Sequence, residues 1–215
     1  MVKQERAART RESLVHAAAE VFAEEGFTAA SIAEISRRAG VTSGALHFHF
    51  DGKTSLALAV EERAGRALRE AAAVQGERDR AGGPLRVLVG STYTMLSLLA
   101  EDVAVRAAFA LCADTTHSGR MDLRRQWRAW VEELLVGAER AGLLAEGVSP
   151  QDATDLVVAL TVGLDGLGGF EADQEARQLL HRIWTVVLPG IAGGEAAAAV
   201  LVEAFVEAFD EEETD

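Results

Sequence analysis

The chain has 215 residues, 21 Lys plus Arg against 34 Asp plus Glu, 49% hydrophobic residues, three Pro and one Cys, a composition that suits one or two globular domains. Long disorder is excluded, and so is a disulfide scaffold, because Cys112 has no second cysteine to pair with. The charged opening Met-Val-Lys-Gln-Glu-Arg is no secretory leader, and apolar runs such as Leu156 to Leu164 fall far short of the roughly 20 residues of a membrane span, so the expectation is a cytoplasmic protein without membrane contact.

Apolar residues recur at helical spacing between Pro84, Pro150 and Pro189, and no sustained alternation of period two occurs, so the fold class is all-α. The first helix is predicted from about Ala7 to Glu25, with Leu14, Ala18, Val21 and Phe22 on one face and Gly26 as its stop. A second begins at the N-cap Ser31, where Glu34 completes a capping box, and ends before Gly40. Thr42 caps a third short helix that runs through about Phe48, and Asp51 caps a long fourth starting near Lys53. Further helices are predicted over Pro84 to Ala100, Asp102 to Ala113, Met121 to Gly142, Pro150 to Gly166, Ala172 to Leu188 and Glu195 to Phe209. Arg69 to Gly83, charged and Gly-rich, and Asp114 to Gly119, whose residues favour a loop, are the weakest stretches, and Asp210 to Asp215 reads as a solvated acidic tail.

The net charge of −13 argues superficially against a polyanionic partner. Its distribution matters more. Lys3, Arg6, Arg9, Arg11, Arg37, Arg38 and Lys53 balance the seven acidic residues up to residue 53, so the whole deficit lies beyond that point. Residues Ser31 to Phe48 give a helix, a tight turn at Ala39-Gly40-Val41 and a second helix, the helix-turn-helix arrangement. Such a second helix can enter a major groove, led here by Thr42, Ser43, Gly44, Ala45 and His47. Ser31 heads the other helix of the pair, Lys53 offers a cation to a phosphate, and Lys3, Arg6, Arg9 and Arg11 form an arm for phosphates or the minor groove. Arg37 and Arg38 complement their own helix dipole with or without DNA, and His49 is read as structural.

The wider string is more specific. Gly26-Phe27-Thr28-Ala29-Ala30-Ser31-Ile32-Ala33-Glu34-Ile35, then Ala39-Gly40-Val41-Thr42-Ser43-Gly44-Ala45-Leu46-His47-Phe48-His49-Phe50, then Lys53-Thr54-Ser55-Leu56 resembles the TetR family of bacterial regulators over about the first quarter of the chain. In this reading Phe27 and Phe48 pack the small bundle, and Phe50 seats the long helix on it. Together with the opening Lys-Gln-Glu-Arg, the run through Phe50 is similar to the γ-butyrolactone autoregulator receptors and pseudo-receptors. The resemblance implies a homodimeric repressor that binds a near-palindromic double-stranded operator. A small diffusible lactone or an antibiotic would release it, and it would control secondary-metabolite genes. Ser43 and His47 stand where that subgroup usually carries Lys and Tyr, which removes a fixed cation and a phenolic donor.

The resemblance divides the chain into a DNA-binding domain (1–52), a ligand-binding and dimerisation domain (53–209) and the tail (210–215). Candidate ligand contacts are Tyr93, Phe109, Trp127, Trp130, Thr161 and Asp165, with Met95 and Phe170 in similar surroundings. For Tyr93 and Phe109 the alternative is plain core. Trp127 and Thr161 match receptor positions that contact ligand, whereas Arg63-Ala64-Gly65 lacks a polar Gln that some receptors carry. Apolar faces with Leu156, Leu160, Leu164, Leu180, Ile183, Trp184 and Val187 are the expected four-helix dimer interface, which would set two reading heads roughly 34 Å apart. No nucleophile elbow, phosphate loop, zinc-protease motif or other cofactor signature occurs, so neither an enzyme nor a metal or cofactor site is expected. The remaining alternative is an effector-independent DNA-binding or partner-binding module with a solid C-terminal core.

Overall fold

Ala-, Leu- and Glu-rich segments with apolar stripes become helices wherever a stripe can be buried, and the computed structural model bears out an all-α fold. It describes residues 2–78, 82–114, 117, 122–166, 174–193, 197 and 200. In chain order the helices are α1 (Val2–Ala29), α2 (Ile32–Arg38), α3 (Ser43–His49), α4 (Lys53–Arg78), α5 (Gly83–Glu101), α6 (Val103–Ala113), α7 (Leu123–Arg140), α8 (Pro150–Gly166) and α9 (Gln174–Ile191). Among the described residues the only extended pairing is an isolated antiparallel bridge between Leu144 and Ala192. The helix read over Glu195 to Phe209 lies, but for Ala197 and Val200, outside the described residues, as do the acidic tail and Phe170.

Three predicted boundaries change. Helix α1 starts at Val2, so the basic opening is wound into helix. Gly26, with φ 74° and ψ 173°, interrupts the helical path where the sequence predicts a stop, in a backbone region that only glycine enters cheaply, and a second short helical stretch continues α1 to Ala29 beyond the kink. Helix α4 runs on through Arg78 and absorbs most of the weak stretch that begins at Arg69, because Leu68 and Gln75 are buried and Ala71 to Ala73 favour helix strongly enough to carry Gly76. Helix α9 continues past Pro189 to Ile191, since near a helix end the missing proline donor costs little.

The cap of α4 also differs from the prediction. Gly52 takes the N-cap position instead of Asp51: its carbonyl accepts from the Leu56 amide at 3.2 Å, and its own amide donates to Ser55 Oγ at 3.2 Å. Asp102 caps α6 as predicted, accepting from the Ala104 and Val105 amides.

The chain packs as two compact units, Met1–Leu68 with Asp102–Arg125, and Arg69–Glu101 with Gln126–Asp215. In the first, α6 lies along α1, and Leu14, Val21, Phe22, Ile35, Leu46, Phe50, Leu56, Val60, Val105 and Phe109 are buried. Each such side chain contributes about 1.5–3 kcal/mol when fully buried. The boundary expected between residues 52 and 53 is thus not the division of packing. In the second unit α5 meets α8 and α9, and Leu88, Met95, Val131, Leu135, Val157 and Leu188 are buried. Leu164, Leu180 and Trp184, read as dimer-face residues, belong to this core, whereas Leu156 and Val186 are 46% and 79% exposed.

Candidate functional site

The turn between α2 and α3 is built from hydrogen bonds that need a left-handed residue. Ala39 ends α2, Gly40 at φ 67° donates to the Arg37 carbonyl at 3.2 Å, and Val41 donates to the Ser36 carbonyl at 3.0 Å. These two bonds are the Schellman closure of a helix C-terminus. Thr42 then caps α3, its Oγ1 accepting from the Ala45 amide at 3.2 Å. Leu46 and Phe50 face inward and are buried, which turns the other side of α3 to solvent. Thr42, Ser43, Gly44 and His47 are exposed there, with Ala45 half-buried beside them. Phe48, read from sequence as a packing residue, is 82% exposed, and its ring meets His49 edge-on at 5.2 Å. In a helix that buries positions 46 and 50, position 48 points away from the core. Sequence reasoning therefore missed Phe48 as a surface residue of α3.

Ser31 caps α2 as predicted, its side chain accepting from the Glu34 amide at 3.2 Å. The reciprocal half of the capping box does not form. The Glu34 carboxylate is held instead by Arg37 at 2.6 and 2.8 Å and by Arg38 at 2.9 Å. Arg38 also grips Glu24 of α1 with both terminal nitrogens, at 2.8 and 2.6 Å, and so clamps α1 to α2. Hydrogen bonds from Arg37 and Arg38 pull the Glu34 carboxyl down from 4.5 to about 2. A group whose folded pKa is depressed contributes stability above its unfolded value and loses it on acidification. Between pH 4.5 and about 2, the stability of the first unit should therefore fall less steeply in Glu34→Gln than in the parent, as read by urea melts across that range. Equal slopes would show that the clamp carries no folding energy.

Lys53 has a structural role not read from sequence. Its ammonium donates to the carbonyls of Phe27, Ala30 and Thr28, at 2.6, 2.9 and 3.1 Å, and lies 4.7 Å from the centre of the Phe27 ring. All three of its donors are spent on the end of α1. Arg6 and Arg9 are exposed on α1, and Arg11 lies 5.2 Å from the centre of the Phe50 ring; the Lys3 side chain lies outside the described residues. Close by in the same unit, His117 Nε2 meets Glu61 Oε1 at 2.7 Å, both side chains 2% exposed, and the His117 ring packs 4.6 Å from that of Phe27.

The candidate ligand residues separate. Trp127 and Thr161 meet in the second unit, where the fully buried indole Nε1 donates to Thr161 Oγ1 at 2.8 Å. Thr161 Oγ1 in turn lies 3.0 Å from the carbonyls of Val157 and Val158. Trp130 packs edge-on against Trp127 at 5.5 Å. A parallel pair, unforeseen from sequence, joins Trp184 Nε1 to Thr92 Oγ1 at 2.8 Å. Tyr93 is half-buried on α5 in the same unit. Phe109 is core of the first unit, and the Asp165 side chain lies outside the described residues.

The profile of bacterial regulatory proteins of the tetR family matches residues 14–60, the span from the α1 core through α2 and α3 into α4. The A-factor receptor protein of Streptomyces griseus is 32% identical over 199 residues, covering 89% of this chain and 67% of that protein. The chain belongs to the TetR family. A second relative of this TetR-family regulator is the transcriptional repressor BepR of Brucella suis, 33% identical over 77% of the chain and 85% of the relative. Among solved structures, an ArpA-like γ-butyrolactone receptor superposes with a TM-score of 0.78 at 26% identity, covering 97% of the chain and 99% of that structure. CprB of Streptomyces coelicolor, in complex with its biological operator sequence, superposes with a TM-score of 0.78 at 27% identity, covering 97% and 100%. These relatives are regulators, and the TetR-family chain is a regulator rather than an enzyme. No described helix is long and apolar enough to cross a membrane.

Proposed function

We propose that this TetR-family regulator is a repressor that binds a near-palindromic operator as a homodimer in the cytoplasm and leaves it when a small diffusible molecule binds the C-terminal region. The observation that carries the DNA reading is the outward face of α3, where Thr42, Ser43, Gly44, His47 and the bare ring of Phe48 stand together while Leu46 and Phe50 anchor the helix from behind. Short polar groups there reach base edges and phosphates, and an apolar ring suits a thymine methyl. Arg6, Arg9 and Arg11 on α1 add phosphate contacts, with Lys3 and Ser31 as further candidates. Lys53 enters this proposal only as the brace that ties the end of α1 to the start of α4.

In the division of labour we propose, residues 1–52 read DNA and residues 53–209 sense ligand and dimerise. Exposed Leu156 and Val186 on α8 and α9 are apolar side chains that a second copy would cover. The effector reading draws on the Trp127–Thr161 pair, whose positions are those of receptor ligand contacts, with Trp130 and Asp165 as further candidates. A ligand that binds the released state better shifts the dimer, and a reversal from 1:99 to 99:1 needs a differential of about 5.5 kcal/mol. Secondary-metabolite genes are the proposed targets.

A gel shift on the DNA upstream of the protein's own gene, with and without culture extract, tests the reading. A shift that the extract abolishes is the expected result, and Phe48→Ala should weaken it without changing the melting temperature. Failure to bind any palindromic duplex at low salt would overturn the proposal. The mutual satisfaction of Trp127 and Thr161 favours the second reading, an effector-independent module with a solid core. A thermal-shift screen of lactones and antibiotics separates the two, because a solid core responds to none.

A further inference from the structure

The exposed side of α3 carries an apolar step that the fold itself does not use. Phe48 is the most exposed of the large hydrophobic residues described, and Ala45 and Gly44 lie three and four positions before it on the same helix face. A helical side chain leans toward the N-terminus of its helix, the side on which these two small residues leave room. Glycine stands there without a structural reason. A β-carbon on Gly44 would meet only Thr42 Oγ1, at 3.9 Å, and the backbone is not left-handed, although glycine ranks below every residue but proline in a helix. Gly44 is exposed and Ala45 half-buried, so the Phe48 ring forms the wall of a shallow step whose floor is nearly bare backbone.

We infer that this step reads the 5-methyl group of thymine, and that methyl contact sets which operator the protein prefers. The inference rests on the DNA reading above and names the feature of the operator that α3 recognises. Bidentate pairing to guanine needs Arg or Lys, pairing to adenine needs Asn or Gln, and cytosine is read by Asp or Glu. Residues 41–50 contain none of these. Basic side chains on either side of α3 are engaged inside the fold, Arg37 and Arg38 by Glu34 and Glu24, and Lys53 by three carbonyls. Thr42, Ser43 and His47 offer single hydrogen bonds, which hydroxyls give to more than one base and which therefore discriminate weakly. The thymine methyl is the one apolar group that base pairs present in the major groove. An apolar ring entering that groove is favoured by covering it and finds no group of its kind on the other bases.

The test starts from short duplexes selected by gel shift from a random-sequence library. The tightest is remade with deoxyuridine in place of thymidine, which removes the methyl groups and keeps every hydrogen-bonding edge. The parent protein should bind the uracil duplex about 15-fold more weakly, about 4-fold for the methyl in each of two half-sites. Replaced one at a time, a single symmetry-related pair of thymines should carry the loss. Phe48→Ala should bind the thymine and uracil duplexes alike, at the lower affinity, and melt at the parent's temperature. Gly44→Ala should melt at or above the parent's temperature, because alanine is the better helix former, yet bind the thymine duplex several-fold more weakly. Equal binding of the two duplexes by the parent, a thymine preference that survives Phe48→Ala, or full affinity in Gly44→Ala would overturn the inference and leave the DNA reading standing. Enrichment of no duplex at low salt would overturn both.

Discussion

Trp127→Ala should lower the unfolding free energy of the second unit by about 3–5 kcal/mol, the range for truncating a large aromatic in a close-packed core. The indole is fully buried, packs edge-on with Trp130 and donates to Thr161 Oγ1. Truncation removes the ring, opens a cavity and strips Thr161 of one neighbour, while the Thr161 hydroxyl keeps its contacts with the carbonyls of Val157 and Val158. The thermal midpoint should fall by roughly 10–20 °C. Trp127→Phe keeps an aromatic ring but loses the N–H and part of the indole's volume, so it should cost less than the alanine variant, about 2–3 kcal/mol. Urea denaturation followed by the fluorescence of Trp130 and Trp184 measures both. An alanine variant as stable as the parent would mean that the ring lines a collapsible space instead of filling a core.

Lys53→Met should cost the first unit about 3–5 kcal/mol, since charge-assisted hydrogen bonds contribute roughly 1.5–3 kcal/mol each and do not add fully. The methionine reproduces the length of the stem but leaves the carbonyls of Phe27, Thr28 and Ala30 without their shared donor at the negative end of α1. Lys53→Arg should rescue little, because a planar fork cannot converge on three carbonyls as a compact ammonium does. Operator binding should collapse in parallel with the loss of structure. A purely phosphate-binding lysine would behave otherwise: stability unchanged, affinity reduced uniformly and the dependence on salt shallower by about one unit. Circular dichroism melts beside salt-titrated gel shifts decide between the two.

Features set by neighbouring residues were legible in the sequence. The caps at Ser31, Thr42 and Asp102, the glycine turn at Gly40 and the inward Ile35 and Leu46 all follow from short-range geometry, and the family resemblance rested on them. Phe48 was misread because an aromatic residue was assumed to pack, although its spacing from Leu46 and Phe50 already turned it outward. Glu34 was assigned to the backbone, yet two arginines within one turn offered stronger partners. What depended on distant residues was hidden. Nothing near Lys53 in the chain announces carbonyls more than twenty positions earlier, and nothing near Trp127 announces Thr161.

The pairing of α6 with α1 carries a consequence for biosynthesis. Because residues 102–125 complete the packing of the first unit, the reading helices emerge from the ribosome well before the segment that covers α1 has been translated. At the usual 5–20 residues per second, the 57 residues between Leu68 and Arg125 leave an interval of roughly 3–11 s. During that interval the apolar flank of α1 is naked on the nascent chain, a natural stopping place for chaperones, and a fragment ending at residue 68 would remain permanently in that unfinished state.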